Sequence, residues 1–379
     1  MEQKRLCPFC MGELPPAATV CPHCGKILEG CNPAGCLPVG TVLAGRYTVG
    51  EMRSLDGEGV LYSGVENLGG FRVTIKEYLP VTLSAERGAD CILRPKQGSE
   101  VLFKTTRMDF ADLYRAVQRI TPASGLEAVL DVVEANNTVY AVLENLGGTP
   151  LEQWLENRPA PVQAEDACAM LRPVFEGVAA MHKAGLVHRG ICPENIRVMS
   201  DGRCRLAGYA TVGLRTAGSG LHEQLYEGYS APEQYTTAEF EGRYTDEYSL
   251  AAVFYRMVCG QAPMPAAQRV VSDSNPRART VEPAVPAYVS DVLQLGLRLK
   301  VMERIQTASS EEMKPQNLVP NFVGIDYEQI KNNREYTSMY LFRAVLEYSD
   351  TVPSGQIIRQ EPEAGEVMEN GEVIQIVVS

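Results

Sequence analysis

The chain has 379 residues, and at about 150 residues per domain this length predicts two or three domains. Hydrophobic residues make up 45% and charged residues 22%, which excludes a mainly disordered or fibrous chain. The formal net charge of −12 gives no general attraction for nucleic acid or anionic lipid, so neither is expected as a partner.

No export or membrane signal is expected at the N-terminus. Residues 1–7 lack the apolar stretch of a signal peptide, and the chain has no apolar run of about 18 residues or more. These features predict a cytoplasmic protein that does not enter a membrane. Eleven cysteines in such a chain favour metal ligands and reduced thiols over a disulfide framework.

Residues 1–30 are predicted to form a zinc ribbon. Two Cys-x-x-Cys knuckles, Cys7 with Cys10 and Cys21 with Cys24, are separated by ten residues. Each such turn presents two thiolates on one side, and four thiolates complete a tetrahedral structural Zn²⁺ site. The metal would supply folding free energy that this short segment lacks. A pair of redox dithiols is the alternative.

Residues 31–45, rich in Pro and Gly, are predicted to be a linker. Cys31 and Cys36 lie there and are not expected to bind the metal, because four thiolates already fill a structural site. His23 lies inside the second knuckle and is interpreted as a turn residue.

The middle of the chain predicts strands first and helices later. Residues 73–76 and 139–143 are β-branched and bounded by Gly-containing loops, so both are predicted strands. Helices are predicted at 109–120, through the apolar face formed by Leu171, Val174, Phe175, Val178 and Met181, and through Leu250, Val253, Phe254 and Met257 up to Gly260. Residues 261–286 are predicted to be a loop, and residues 373–378 a terminal strand.

Residues 188–195, with the sequence His-Arg-Gly-Ile-Cys-Pro-Glu-Asn, resemble the catalytic loop of bacterial Hanks-type serine/threonine protein kinases, which is His-Arg-Asp-x-Lys-Pro-Glu-Asn. Other markers of this family follow in its order: Lys76, Ala231-Pro232-Glu233, Asp246 and Arg304. The resemblance implies an α+β, bilobal protein-kinase-like fold over residues 46–313, with a β-rich N-lobe and an α-rich C-lobe.

The resemblance fails where the family performs chemistry. Gly190 stands at the position of the catalytic base, and Gly208 at that of the principal Mg²⁺ ligand, so no catalytic residue is expected. Asn195 remains at the second metal-ligand position, but one amide carbonyl is thin support for Mg²⁺. Cys192 replaces the catalytic-loop lysine and is interpreted as structural rather than as a reactive thiol.

The nucleotide site is altered as well. The glycine-rich pattern falls on residues 54–59, where Gly57 and Gly59 remain but Asp56 and Glu58 add negative charge where a triphosphate would lie. Lys76 is interpreted either as a phosphate contact or as a structurally paired strand lysine.

In the helix preceding the hinge, Asp112 or Leu113 falls near the family's glutamate partner of this lysine. The hinge could present the backbone groups of Glu144 and Leu146 to adenine, so ATP binding without phosphoryl transfer stays open.

The remaining family markers are expected to hold the fold together without chemistry. Arg189, Glu233, Asp246 and Arg304 would tie the catalytic loop, activation segment and helices to one another, and His188 is expected to be a packed core residue. Residues 211–230 correspond to the activation loop, in which Thr216 and Ser219 are either phosphoacceptors or ordinary surface residues.

Residues 316–379 resemble a PASTA domain. The resemblance rests on residues 319–324, a helical run at 327–332, and Gln-Glu-Pro-Glu-Ala-Gly at 360–365 before the last strand. This segment has 4 basic and 10 acidic residues, or −6, half of the net charge of the chain. Because no membrane span separates it from the kinase-like region, it is expected to serve protein interaction or packing.

Together these features predict a pseudokinase that acts as a signalling scaffold for a protein partner, such as a true kinase or its substrate. The alternative is an active but divergent serine/threonine kinase that transfers the ATP γ-phosphate. The two differ in whether the missing carboxylates at positions 190 and 208 abolish transfer.

Overall fold

The computed structural model describes residues 5–28, 32–121, 123, 125–304, 317–319, 321–332, 336, 341–363, 367–368 and 373–379. The chain divides into two compact units, Met1–Ser310 and Glu311–Ser379. Cys31 and the predicted junction at residues 313–316 lie outside the described residues. No helix in these described ranges combines the length and apolar character needed to cross a bilayer.

The N-terminal lobe of the first unit is a sheet with one long helix beside it. Its strands pair in the order β1-β2-β3-β4-β8-β7. In chain order the elements are β1 (Val42–Leu43), β2 (Tyr47–Leu55), β3 (Gly59–Glu66), β4 (Arg72–Tyr78), β5 (Ser84–Arg87), β6 (Leu93–Pro95), α1 (Glu100–Ile120), β7 (Val129–Ala135) and β8 (Thr138–Glu144). The two predicted strands are confirmed as β4 and β8, whereas α1 begins at Glu100, nine residues before the predicted start.

The C-terminal lobe is mainly helical. Its elements are β9 (Thr149–Pro150), α2 (Leu151–Glu156), α3 (Ala164–Lys183), β10 (Ile196–Val198), β11 (Cys204–Leu206), α4 (Val212–Arg215), α5 (Arg243–Cys259), α6 (Ala266–Val271), α7 (Ala278–Val281) and α8 (Ala287–Gly296). The five predicted apolar residues of α3 are all buried. Helix α5 ends as predicted at Gly260, which adopts the left-handed conformation, φ +73°, that glycine tolerates best.

Two boundary predictions are wrong. Residues 261–286 contain α6 and α7 and are not a continuous loop, because Ala266 and Ala278 are buried and anchor short helices between the prolines. The predicted linker is also packed: Leu37 is fully buried, and β1 pairs with Tyr47 and Thr48 of β2. The N-terminal lobe therefore begins before residue 46.

The second unit has a small core of its own. Its elements are β12 (Asn317–Leu318), α9 (Tyr327–Lys331), β13 (Leu341–Leu346), β14 (Ile357–Glu361), β15 (Val367–Met368) and β16 (Val373–Val378). Strand β16 lies between β13 and β14, and Ile357 and Ile374 of this sheet share a buried cluster with Phe322 and Ile330. The predicted helix and terminal strand are confirmed, while residues 320 and 364–365 of the predicted motifs lie outside the described residues.

Candidate functional site

The loop at residues 188–195 is held from below by α5. The buried carboxylate of Asp246 accepts hydrogen bonds from the backbone N–H groups of His188 at 2.8 Å and Arg189 at 2.7 Å. His188 is buried, and this burial lowers its pKa to about 4. A neutral, packed histidine agrees with the predicted structural role.

Arg215 occupies the space where a catalytic base would stand. A Cβ atom built on Gly190 would lie 2.8 Å from both Cζ and Nε of the Arg215 guanidinium. The guanidinium donates hydrogen bonds to the hydroxyl of Tyr226 at 2.8 Å and to the carbonyl of Gly208 at 3.0 Å. A side chain at position 190 would have to displace the Arg215 guanidinium from these contacts.

The position of the missing Mg²⁺ ligand is filled in the same way. Gly208 has φ +83°, and a Cβ there would lie 2.5 Å from the side-chain Cγ of Asn195. Asn195 itself donates to the carbonyl of Gly190 at 2.7 Å and to the hydroxyl of Tyr226 at 3.0 Å. Both bonds use the amide nitrogen Nδ2 of Asn195, whereas its Oδ1, the atom that could bind a metal, lies beside Gly208.

Lys76 is paired with the acids of the β2–β3 turn. Its Nζ lies 3.2 Å from Asp56 Oδ2 and 3.8 Å from Glu58 Oε2, and it donates to the carbonyl of Tyr209 at 3.3 Å. Burial alone would lower the pKa of Lys76, but the two acids raise it well above its usual range. The lysine is a buried, structurally paired residue in this structure.

Asp112 is not the partner of Lys76. It is exposed on α1 and lies 3.9 Å from Arg115 of the same helix. The inward position of α1 belongs to Tyr114, a buried residue whose hydroxyl donates to the carbonyl of Tyr209 at 2.7 Å. The acids paired with Lys76 therefore come from the β2–β3 turn and not from Asp112 of α1.

The turn also binds its own backbone. Asp56 Oδ1 accepts hydrogen bonds from the N–H groups of Glu58 at 2.9 Å and Gly59 at 2.8 Å. In a glycine-rich loop such N–H groups face phosphate oxygens, so the carboxylate of Asp56 stands in for a phosphate. Burial raises the pKa of Glu58, and its carboxylate accepts the N–H of Thr211 at 3.1 Å.

The activation segment closes on this turn. A Cβ at Gly57 would collide with the backbone carbonyl of His222, and one at Gly59 would collide with the carbonyl of Glu77. Both predicted nucleotide-binding glycines are packed against protein. Thr216 is buried and donates to Glu241, and Ser219 donates to the carbonyl of Gly213, so neither hydroxyl is a free phosphoacceptor here.

The hinge is bonded to itself. The N–H of Leu146 donates to the carbonyl of Glu144 at 2.9 Å, and these are the two groups predicted to meet adenine. The Glu144 side chain pairs with Arg205 and accepts the N–H of Ala128 at 2.6 Å. Behind the hinge lies Glu127, whose pKa burial and repulsion from Glu144 raise to about 8.

The fold-supporting residues lie as the sequence predicts. Glu233 and Arg304 form a buried ion pair with two contacts, Nη1 to Oε1 at 2.7 Å and Nη2 to Oε2 at 3.2 Å. Arg189 Nε lies 2.7 Å from Glu241 Oε2. Cys192 is buried, and burial raises the pKa of its thiol, as expected of a structural cysteine.

The four predicted metal ligands converge. The sulfur atoms of Cys7, Cys10, Cys21 and Cys24 all lie within 4.8 Å of one another, with Cys7 to Cys24 at 3.8 Å and Cys10 to Cys21 at 3.6 Å. A tetrahedron with Zn–S bonds of about 2.3 Å has edges of about 3.8 Å, so the thiols fit zinc. His23 points its Nε2 to the carbonyl of Glu13 at 3.0 Å, as expected of a turn residue.

Sequence reasoning did not find Arg215, Tyr226 or Glu127. The sequence offers one signal for Arg215: it lies seven residues after Gly208, in a chain that lacks the catalytic base. Tyr226 and Glu127 carry no signal, because their roles come from tertiary contacts between distant segments.

Comparison with known proteins agrees with this geometry. The protein kinase domain model matches residues 115–309, more than half of the chain. The chain belongs to the protein kinase family. Its C-terminal unit is a PASTA domain, whose family model matches residues 317–379.

Two curated relatives are serine/threonine-protein kinases of Mycobacterium tuberculosis. PknL is 29% identical over 275 residues, an alignment covering 66% of this chain and 67% of the relative. PknA is 26% identical over 276 residues, covering 68% of this chain and 58% of that kinase. The fold also matches a solved structure titled "PpkA-294 apo form", with a TM-score of 0.61, 24% identity, and coverage of 74% of this chain and 98% of that one.

A kinase domain implies ATP and Mg²⁺, but the residues of this cleft do not fit them. The lysine, the loop N–H groups and the hinge groups that would bind ATP are bonded to other parts of the protein. The carboxylate that would bind Mg²⁺ is replaced by Gly208. We therefore derive no phosphoryl-transfer step for this chain.

Proposed function

We propose that this protein is a pseudokinase that acts as a signalling scaffold, with a structural zinc ribbon at its N-terminus. The observation that carries the proposal is the filled catalytic site, in which Arg215 and Asn195 occupy the space beside Gly190 and Gly208. A positioned base alone contributes about 10²–10⁴ in rate, and metal stabilisation of the transferred group adds several kcal/mol more.

The paired state of Lys76 supports the same proposal. Asp56 and Glu58 place negative charge where a triphosphate would lie, and Asp56 already binds the loop N–H groups. Phosphate would have to displace two acids from a buried cation, and such displacement leaves the acids unpaired at a cost of several kcal/mol. Nucleotide is therefore excluded from the closed cleft, and the domain would act by binding protein partners.

A transfer assay tests the proposal. The full chain is incubated with γ-labelled ATP, Mg²⁺ and a generic protein substrate, beside Lys76→Ala and the matched surface variant Lys183→Ala. We expect no incorporation in any of the three. Transfer that is lost in Lys76→Ala and kept in Lys183→Ala would establish the active-kinase alternative.

A double reversion sharpens the test. Gly190→Asp with Gly208→Asp restores both carboxylates, but Arg215 and Asn195 stand in the way and position 208 has a left-handed backbone. We expect no transfer, and a loss of about 1–3 kcal/mol of stability from overpacking and strain. A thermal-shift titration with ATP, with and without Mg²⁺, should give no shift. Phosphate incorporation by the double variant would show instead that the two glycines alone silence the site.

The zinc ribbon is tested by metal analysis. We expect one equivalent of zinc in chain purified without chelators, and its loss in Cys10→Ser, because four thiolates make a closed structural site. Cys36→Ser is the matched control, since Cys36 lies 3.7 Å from the sulfur of Met52 and outside the cluster. Zinc-free wild-type protein would refute the site.

A further inference from the structure

The zinc ribbon contacts the β2–β3 hairpin, whose turn carries Asp56 and Glu58. Strands β2 and β3 pair at Val49 with Gly64 and again at Met52 with Tyr62, so three steps on β2 match two on β3. This is a β-bulge, which leaves a residue of the longer strand without a partner on its neighbour.

The first zinc knuckle supplies the missing partner. The carbonyl of Pro8, which lies between Cys7 and Cys10, accepts the N–H of Glu51 at 2.7 Å and the hydroxyl of Ser63 at 2.9 Å. The same Ser63 hydroxyl lies 3.1 Å from the carbonyl of Glu51, so its single hydrogen is shared between the two carbonyls. One atom of the knuckle thus binds both strands at the bulge.

The knuckle lies so close to β2 that position 50 has no room for a side chain. A Cβ on Gly50 would lie 2.6 Å from the Pro8 carbonyl oxygen and 2.7 Å from the sulfur of Met11. Asn32, just after the ribbon, binds the other side of the bulge: it donates to Gly50 O at 3.0 Å and accepts from Met52 N at 2.8 Å. The bulge is therefore built by contacts from outside the hairpin.

This bulge is the first of two register shifts in β2, the second lying between Met52 and Ser54, and both contribute to where the following turn places its acids. A shift of one residue in strand register moves every following side chain to the opposite face of the sheet. Asp56 follows the last residue of β2, and in the observed register its carboxylate lies 3.2 Å from Lys76 Nζ. Loss of the bulge would remove Asp56 and Glu58 from Lys76.

We infer that a zinc ion at the four thiols acts as an effector of the cleft, because it holds the Pro8 carbonyl in the β2–β3 bulge and so keeps Asp56 and Glu58 on Lys76. Structural zinc supplies most of the folding free energy of such short ribbons, so its removal frees Pro8 from the hairpin. The inference rests on the proposed zinc site and extends it to the kinase-like cleft.

Lysine acetylation with N-hydroxysuccinimidyl acetate measures this coupling in the full chain. Labelling of Lys76 is quantified by peptide mass spectrometry against the exposed Lys183, before and after zinc is removed with a strong chelator under a thiol reductant. Zinc content is measured on the same samples. We expect several-fold higher labelling of Lys76 after zinc loss, with hydrogen exchange increased in β2 and β3 and unchanged in α5.

Two variants separate the contact from the metal. Gly50→Ala should keep its zinc and still expose Lys76, whereas Gly147→Ala, whose Cβ meets open space, should behave as wild type. Ser63→Ala provides the same test if Gly50→Ala does not fold. Unchanged Lys76 labelling after verified zinc loss would overturn the inference, as would exchange that rises equally in α5. If the purified chain lacks zinc, the proposed metal site fails, and Gly50→Ala still decides whether the Pro8 contact protects Lys76.

Discussion

In the C-terminal lobe the carboxylate of Glu233 meets the guanidinium of Arg304 with one charge of each sign, and both side chains are fully buried. In the cleft, Lys76 meets two acids, and burial raises the pKa of Glu58. The first pair is balanced and supports the fold that the family shares. The second group is unbalanced, and it occupies space that a kinase leaves for its nucleotide.

The difference supports the proposed pseudokinase function, in which the chain keeps the family's fold without its chemistry. Residues that tie the catalytic loop and activation segment to the C-terminal lobe keep their family identities and their contacts. Residues that would touch ATP or Mg²⁺ have been replaced or bonded to neighbours. The Glu233–Arg304 pair and the acids of the cleft must therefore be changed separately, and the stability of each variant measured.

The largest expected effect is on the balanced pair. Arg304→Ala leaves Glu233 as a buried, unpaired carboxylate, and breaking such a pair costs about 3–5 kcal/mol. Urea denaturation of the full chain measures the free energy of unfolding. The control is Lys300→Ala, whose exposed pair with Glu303 contributes about 0–1 kcal/mol. Similar losses in the two variants would contradict a special role for the buried pair.

The next effect concerns Glu127, the buried carboxylic acid behind the hinge. The pKa of Glu127 is about 8 in the folded chain and about 4.3 when unfolded. Between these values the folded state keeps a proton that the unfolded state has lost, so stability falls as pH rises. Relative to Glu127→Gln, wild type should lose on the order of 2–4 kcal/mol between pH 5 and pH 8.

Urea denaturation across this pH range checks the prediction for Glu127. The matched control is Glu134→Gln, because Glu134 is an exposed acid on the neighbouring strand β7 and pairs with Arg115. Its stability difference from wild type should stay within about 0.5 kcal/mol at every pH. If the unfolding free energies of wild type and Glu127→Gln change in parallel with pH, Glu127 does not have a raised pKa in the folded chain.

The smallest effect distinguishes two partners for Lys76. Asp112→Asn should change the free energy of unfolding by less than about 0.5 kcal/mol, as is usual for exposed positions. Asp56→Asn removes a charge from the buried lysine and should cost more, because Lys76 lowers the pKa of Asp56 against the effect of burial. Equal losses of unfolding free energy in the two variants would show that Asp56 does not stabilise Lys76 more than Asp112 does.

Much of the fold could be predicted from the sequence because it depends on local patterns. The apolar face of α3, the stop of α5 at Gly260 and the two cysteine knuckles are each written in short stretches of residues. The losses at Gly190 and Gly208 are also visible in sequence, since a motif fixes their positions.

The side chains that occupy the positions of the missing catalytic groups could not be predicted. Arg215 reaches Gly190 from the activation segment, and Asp56 replaces the α1 acid from a different strand, so both depend on contacts between distant segments. The linker prediction failed for the same reason. Residues 32–45 have the composition of a connector, yet Leu37 is buried and its N–H donates to the hydroxyl of Tyr62 at 3.0 Å.

The hinge described above has a practical consequence for chemical biology. Kinases are commonly captured on resins whose inhibitors imitate adenine, and capture requires one free carbonyl and one free N–H in the hinge. Here the N–H of Leu146 is already donated to the carbonyl of Glu144. We therefore expect such resins to retain this chain less well than kinases whose hinge N–H is free.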